Sequence, residues 1–170
     1  VRLAQEGAKV VIADVDDEAG HAAVADLKAS DEDAHFVSCD VGERLDVHNL
    51  IASTLEAFGR IDVLINNAGI SMRALFSEVE IDVVKKVMDI NFYGALYATH
   101  YCLPEIIKNK GSIVGISSIA GFLGLPGRTG YSSSKFALNG FLSVLRTELL
   151  RTGVHVLTAC PGFTASNIRK

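Results

Sequence analysis

Long apolar runs, clusters of basic residues and paired cysteines are all missing from this 170-residue chain. No stretch has the roughly eighteen apolar residues of a membrane span, and no signal-peptide pattern opens the chain. The net charge of −4 gives no attraction for nucleic acid or anionic lipid. Three widely spaced cysteines, Cys39, Cys102 and Cys160, fit neither a disulfide framework nor a metal cluster. We therefore expect a soluble, cytoplasmic protein without a metal, although a segment upstream of Val1 could carry a targeting signal.

Short β-branched runs alternate with longer segments of helical period along the chain. This order is typical of βαβ units around a parallel sheet. Hydrophobic residues make up 49% of the sequence and there is no low-complexity linker, so we predict one domain over residues 1–170. The predicted strands cover 9–14, 34–40, 61–68, 111–118 and 154–162, and the predicted helices cover 17–29, 43–58, 81–108 (interrupted near Asn91) and 131–151.

The first residues have the pattern of the last turns of a helix, with Gly7 as the stop before a strand. A helix at this place lacks the strand that normally precedes it in a βαβ unit. In a dinucleotide-binding fold the preceding piece is the first strand and a Gly-rich turn, whose amides hold the pyrophosphate. We therefore expect a doubly wound, three-layer α/β sheet with an internal gap, belonging to a longer protein.

Polar residues stand where three successive predicted strands end, at Asp14, at Asp40 and in "NNAG", Asn66–Gly69. The carboxyl ends of parallel strands are where open α/β sheets bind ligands. Asp14 could accept the hydroxyl groups of an adenosine ribose and repel a 2′-phosphate, which favours NAD over NADP. Alternatively, Asp14 forms a turn and caps the next helix with Asp16 and Asp17, and "NNAG" is only a turn.

The stretch "YSSSK" places Tyr131 and Lys135 four residues apart, on one face of a predicted helix. A nearby ammonium stabilises a phenolate, so such a pair suits proton transfer. Ser118, at the end of the preceding strand, could donate to a substrate oxygen while Tyr131 transfers the proton. The alternative is an exposed helix turn in which the tyrosine and the lysine are incidental.

The ordered set "CDV", "NNAG", "MDINFYG", "GSIVGISSIAG", "YSSSK" and "CPGFT", together with Asp14, resembles the short-chain dehydrogenase/reductase family over essentially the whole chain. The resemblance implies that Ser118 orients the substrate oxygen and that Tyr131 is the general acid or base. Lys135 would hold the nicotinamide ribose and support the phenolate. Asn91 would keep a break in its helix and order a water for proton relay.

The resemblance also implies a nicotinamide cofactor, with NAD(H) preferred because of Asp14 and NADP(H) not excluded. Asp40 and Val41 match adenine contacts, Asn67 matches a residue near the ribose, and Thr164 matches a contact of the nicotinamide carboxamide. The implied cofactor-binding residues are Asp14, Asp40, Val41, Asn67, Tyr131, Lys135 and Thr164.

From these residues we expect an oxidoreductase that moves a hydride between nicotinamide and a secondary alcohol or carbonyl compound, in a homodimer or homotetramer. No nucleic-acid or membrane partner is expected. Two alternatives remain at this point. One is a protein of the same fold that senses dinucleotides or binds a partner without catalysis. The other is an unrelated doubly wound domain, such as a receiver or flavodoxin-like module.

Overall fold

Two parallel sheets form the framework of the described part of the chain in a computed structural model. The structure describes residues 2–30 and 33–162. The strands are β1 (Val10–Asp14), β2 (Ala34–Ser38), β3 (Val63–Asn66), β4 (Ser112–Ile116) and β5 (His155–Ala159). One sheet pairs β1 with β2, and the other has the order β3-β4-β5, with every pairing parallel. β1 and β3 therefore belong to separate sheets, so the sheet is divided as the sequence predicts.

Helices occupy the segments between the strands, and local signals fix several of their ends. The Asp16 side chain caps the helix that follows β1 by accepting from the backbone N–H of Ala19 at 2.9 Å. Gly59 ends the helix that follows β2, with a left-handed φ of 71°. The helices are α1 (Arg2–Gln5), α2 (Asp17–Ala29), α3 (Arg44–Phe58), α4 (Ile81–Met88), α5 (Gly94–Asn109) and α6 (Thr129–Glu148), with a π-helical turn at Asp89–Tyr93 and a 3-10 turn at Ile119–Gly121.

The main core lies between the β3-β4-β5 sheet and the helices α5 and α6. On α6 the buried residues Leu138, Leu142 and Leu145 follow the helical repeat, so one face of the helix packs on the sheet. Gly115 in β4 allows this close approach, because a Cβ there would lie 2.3 Å from Leu142 Cδ1. The core thus fixes α6, the predicted catalytic helix, against the central strand of this sheet.

Two smaller hydrophobic clusters lie elsewhere among the described residues. One places Ala4 of α1 and Leu27 of α2 against the β1-β2 sheet. The other contains Cys39 and Val47 with Ala98 of α5, and it contacts strands of both sheets. Through this cluster α3 and α5 connect the two sheets.

The observed elements confirm the predicted parallel α/β fold, with small shifts at the ends. α6 begins at Thr129, two residues earlier than predicted, because the Ser132 N–H already bonds to the Arg128 carbonyl. It ends at Glu148, three residues before the predicted end. The predicted break near Asn91 is confirmed as the π-helical turn. No helix within the described residues is long and apolar enough to cross a membrane.

Candidate active site

Asn91 lies in the π-helical turn between α4 and α5 and is only 1% exposed. Its Oδ1 accepts from the Ile70 N–H at 2.8 Å, and its Nδ2 donates to the Ile70 carbonyl at 3.0 Å and to Ser134 Oγ at 3.0 Å. The amide therefore ties the segment after β3 to α6. Short π-helical turns within α-helices are frequent at functional sites.

Lys135 is buried beside Tyr131, its neighbour one turn earlier on α6. Lys135 is 4% exposed, and its Nζ donates to the Ile116 carbonyl at the end of β4 at 2.9 Å. Burial lowers the pKa of Lys135 from 10.5 to about 8, while the nearby Cys160 acts in the opposite direction. Nζ lies 5.9 Å from the centroid of the Tyr131 ring. At neutral pH the site therefore holds mostly an ammonium group beside the Tyr131 ring.

Ser134 and Gly69 complete the immediate surroundings of this pair. Ser134 Oγ donates to the Tyr131 carbonyl at 2.8 Å while it accepts from Asn91, which locks this turn of α6 in place. A Cβ at Gly69 would lie 3.3 Å from Asn91 Oδ1 and 3.5 Å from Lys135 Nζ. The glycine in "NNAG" thus lets the backbone pass close to the side chains of Asn91 and Lys135, where a Cβ would be tight against Asn91 Oδ1.

Ser118 lies at the end of β4 and caps the 3-10 turn, where its Oγ accepts from the Ala120 N–H at 3.2 Å. Within the described residues its hydroxyl hydrogen has no acceptor, so it is free to donate. No hydrogen bond in this part of the chain joins Ser118 to Tyr131. The neighbouring Ser117 is buried, and its Oγ has no partner among the described residues.

The two aspartates predicted to bind cofactor lie exposed at the carboxyl ends of β1 and β2. Asp14 accepts from the Asp16 N–H at 3.1 Å, and Asp16 caps α2, so the turn that we considered as the alternative is present. Asp40 accepts from the Gly42 N–H at 2.9 Å in a similar turn. Both carboxylates keep further acceptor positions facing solvent, so their role in binding remains a prediction.

The remaining residues predicted to bind cofactor are Val41, Asn67 and Thr164. Val41 packs on the start of α5, where a Cβ at Gly94 would lie 2.9 Å from Val41 Cγ2. Asn67 is exposed after β3. Thr164 lies outside the described residues. The structure thus brings Asn91, Tyr131 and Lys135 into one cluster, whereas no hydrogen bond or ion pair joins that cluster to Asp14 or Asn67 among the described residues.

The sequence analysis did not identify Ser134 or Arg128 as residues of the site. Arg128 Nη1 donates to Ser71 Oγ, and its guanidinium carbon lies 6.0 Å from the Tyr131 ring centroid. Spacing could have indicated it, since Arg128 precedes Tyr131 by three residues and Lys135 follows it by four. Ser134 was hidden within "YSSSK", where nothing in the sequence distinguishes one serine from another.

Comparison with known proteins identifies the family of the chain. The family model described as short chain dehydrogenase matches residues 1–170. The chain is 40% identical over 133 residues to dehydrogenase/reductase SDR family member 7B of Mus musculus, covering 78% of this chain and 41% of that protein. It is 36% identical over 167 residues to an uncharacterized oxidoreductase of Thermotoga maritima, covering 98% of this chain and 66% of that protein.

A solved structure has the same fold. A short chain dehydrogenase/reductase from Burkholderia phymatum, crystallised in complex with NAD, superimposes with a TM-score of 0.91 at 29% identity, covering 94% of this chain and 58% of that one. The chain thus spans 41% to 66% of the length of these three proteins. Because the family model matches from the first residue to the last and the fold agrees, the chain belongs to the short-chain dehydrogenase/reductase family.

Proposed function

We propose that the protein containing this chain is an NAD(P)-dependent oxidoreductase that acts on a secondary alcohol or carbonyl compound, with Tyr131 as the general acid or base. The observation that carries this proposal is the buried Lys135 ammonium, 5.9 Å from the Tyr131 ring centroid and held by the Ile116 carbonyl. Burying a cation costs free energy unless polar or charged partners compensate for it. A phenolate on Tyr131 would be such a partner, so the ammonium is placed to stabilise it.

In the reductive direction, Tyr131 would give its proton to the substrate oxygen, and Ser118 would donate a hydrogen bond to the same oxygen. Lys135 would then help to return a proton to the phenol. Of its three N–H groups only one has an acceptor within the described residues, so two remain for a ribose hydroxyl and a water. Both amide hydrogens of Asn91 are already donated, so Asn91 would support this relay by fixing the site rather than through those N–H groups.

The described residues fit the nicotinamide end of a dinucleotide. Lys135 keeps N–H groups without acceptors for a ribose hydroxyl, and the exposed Asp14 and Asp40 lie at strand ends where the adenosine half would bind. The nicotinamide supplies the hydride when it is bound. We further propose NAD(H) as the preferred cofactor, because the Asp14 carboxylate would repel a 2′-phosphate. The Burkholderia phymatum relative in complex with NAD supports this choice.

We also propose that the protein is a homodimer or homotetramer in which α5 and α6 pack across subunits. Exposed apolar side chains on these helices support the proposal. They are Tyr93 and Ile107 near or on α5, and Phe136 and Val144 on α6.

The enzyme assignment is tested with the full-length protein by following oxidation of NADH and of NADPH with a panel of ketones and aldehydes. Tyr131→Phe should lower kcat by at least about a hundredfold, because it removes the proton donor. Tyr101→Phe is the matched control, since its hydroxyl accepts from Arg44 away from the cluster, and it should retain activity. Normal turnover by Tyr131→Phe would refute the catalytic role.

The alternative, a dinucleotide-sensing protein without catalysis, predicts a different result from the same preparation. Cofactor would bind with measurable affinity, but no carbonyl compound in the panel would be reduced by the wild type. A preference for NADPH over NADH would instead retain the enzyme and contradict the role proposed for Asp14.

A further inference from the structure

Arg128 places a second cation beside Tyr131. Arg128 precedes Tyr131 in the sequence, whereas Lys135 follows it. It immediately precedes α6 and is half-buried. Its Nη1 donates to Ser71 Oγ, and its guanidinium carbon lies 6.0 Å from the Tyr131 ring centroid. The phenol is thus close to two positive groups, only one of which the proposed proton transfer uses.

The guanidinium has little of its charge compensated. The salt bridges found among the described residues do not include Arg128, and its hydrogen-bond partner is a neutral hydroxyl. A guanidinium carries five N–H donors in a planar fork that fits a carboxylate through two parallel bonds. A half-buried arginine beside a reacting group, with most of its donors unused, is suited to an anionic ligand.

Two loops meet at Arg128 and hold it in place. The Ala74 N–H bonds to the Gly127 carbonyl at 3.0 Å, which joins the segment after β3 to the loop before α6. That loop begins with Ser118, which is expected to contact the substrate oxygen, and it carries the exposed Phe122. Lys135 instead faces Gly69 and Ile116, where we place the cofactor. The two cations therefore bond to different segments of the chain, Arg128 to Ser71 and Lys135 to Ile116.

From this arrangement we infer that Arg128 is a specificity-determining residue, which binds a carboxylate of the substrate a few bonds from the carbonyl that Tyr131 protonates. The inference rests on the proposed function of Tyr131. The Arg128 fork would take the carboxylate while Ser71 keeps its orientation. Substrates of this class are oxo acids or their hydroxy-acid counterparts, and the matching neutral amides should bind less well.

The full-length protein is assayed with oxo acids and with their primary amides of the same carbon skeleton. The wild type should have the lower KM for the acid. Arg128→Gln should raise the ratio of the KM for the acid to that for the amide by about tenfold, the loss expected for a hydrogen-bonded charge pair. Arg128→Lys, which keeps the charge but not the fork, should raise the ratio less. Arg151→Gln, an exposed arginine beyond the end of α6, should leave it unchanged.

Ser71→Ala distinguishes ligand binding from a merely structural contact. It removes the hydrogen bond to Arg128 but keeps the cation, so it should retain most of the preference for the acid. If Ser71→Ala shifts the KM ratio as much as Arg128→Gln, the pair serves only to join the two loops and the inference is wrong. Equal KM values for acids and amides in the wild type would also overturn it.

A binding measurement separates this inference from the proposed reaction. Hexanoate and hexanamide are titrated calorimetrically into the full-length protein with cofactor present. Hexanoate should bind more tightly than hexanamide, and Arg128→Gln should remove that difference. If this result is obtained while Tyr131→Phe retains turnover, the anion site stands and the proposed proton transfer fails. Equal binding of the two probes by the wild type contradicts the anion site, whatever Tyr131 does.

Discussion

At the scale of single residues, the site depends on placing a lysine where water is scarce. Burial opposes the charge of Lys135, while the Ile116 carbonyl accepts one of its hydrogens. A pKa of about 8 leaves the amine mostly protonated at neutral pH, but close enough to neutrality to release a proton. Removing water thus makes the same side chain able to stabilise a phenolate and to take part in a proton relay.

The lowered pKa of Lys135 has a measurable effect on stability. Between about pH 8 and pH 10.5 the unfolded chain keeps the proton that the folded chain has released, so folding becomes more favourable as pH rises through this window. Relative to Lys135→Met, the wild type should gain up to about 3 kcal/mol in free energy of unfolding over that range. Urea titrations of the full-length protein without cofactor, at several pH values, measure the difference. A difference that is independent of pH would contradict the burial of the charge.

Asn91 contributes to stability because its side chain forms hydrogen bonds with backbone groups. Asn91→Leu would leave the N–H and carbonyl of Ile70 without their partner, which should lower the free energy of unfolding by about 3 kcal/mol. Ser134→Ala removes one of the bonds to Asn91 and the bond to the Tyr131 carbonyl, and should cost a smaller amount, about 1–2 kcal/mol. Denaturant titration of both full-length variants tests this order. Equal losses would show that the amide does not carry the connection to Ile70.

At the scale of elements, the spacing of apolar residues in the sequence predicted the strands and helices, because each element buries one face. The β-branched run in β4 and the leucines at helical spacing in α6 are examples, and both lie in the main core. The prediction that Asp14, Asp40 and Ser118 lie at or just after the carboxyl ends of strands is also confirmed.

What the sequence could not supply was the partner of each polar side chain. The bonds from Asn91 to Ile70 and Ser134 join residues 21 and 43 positions apart, and no local pattern encodes such distances. Arg128 was missed for a related reason, since its contact with Ser71 spans 57 positions. Periodicity describes which face is buried, whereas these contacts depend on how the loops at the strand ends fold over one another.

The start of β4 gives a prediction at this scale. A Cβ at Gly111 would lie 2.1 Å from the carbonyl oxygen of Asp62, a backbone atom that also accepts from the Ser112 N–H. Gly111→Ala should therefore separate β4 from the segment before β3 and lower the free energy of unfolding by about 1–3 kcal/mol. Gly124→Ala, where a Cβ meets nothing within 4 Å, is the control and should change stability by less than about 0.5 kcal/mol. Thermal or urea unfolding of the full-length variants gives both values.

At the scale of the whole molecule, α3 and α5 connect the two sheets, and no strand pairing joins these sheets within the residues that the structure describes. On the β3-β4-β5 sheet, the helices α5 and α6 cover one face, while Val63, Ile65 and Leu157 are exposed on alternate strand positions. The family model and the solved relative show the family and the α/β fold of this chain. A single domain over residues 1–170 and the location in the cell stay predictions.

Assembly gives the prediction at the largest scale. Phe136 is 46% exposed and Val144 is 58% exposed, two turns apart on one side of α6, which suits packing against a second copy. A carboxylate placed there would have to be buried without a partner, so Phe136→Glu should shift the full-length protein toward monomers in light scattering coupled to size-exclusion chromatography. Ala22→Glu adds the same charge at an exposed position of α2 and should leave the molar mass unchanged. If Phe136→Glu keeps the wild-type molar mass, α6 is not the surface through which the subunits associate.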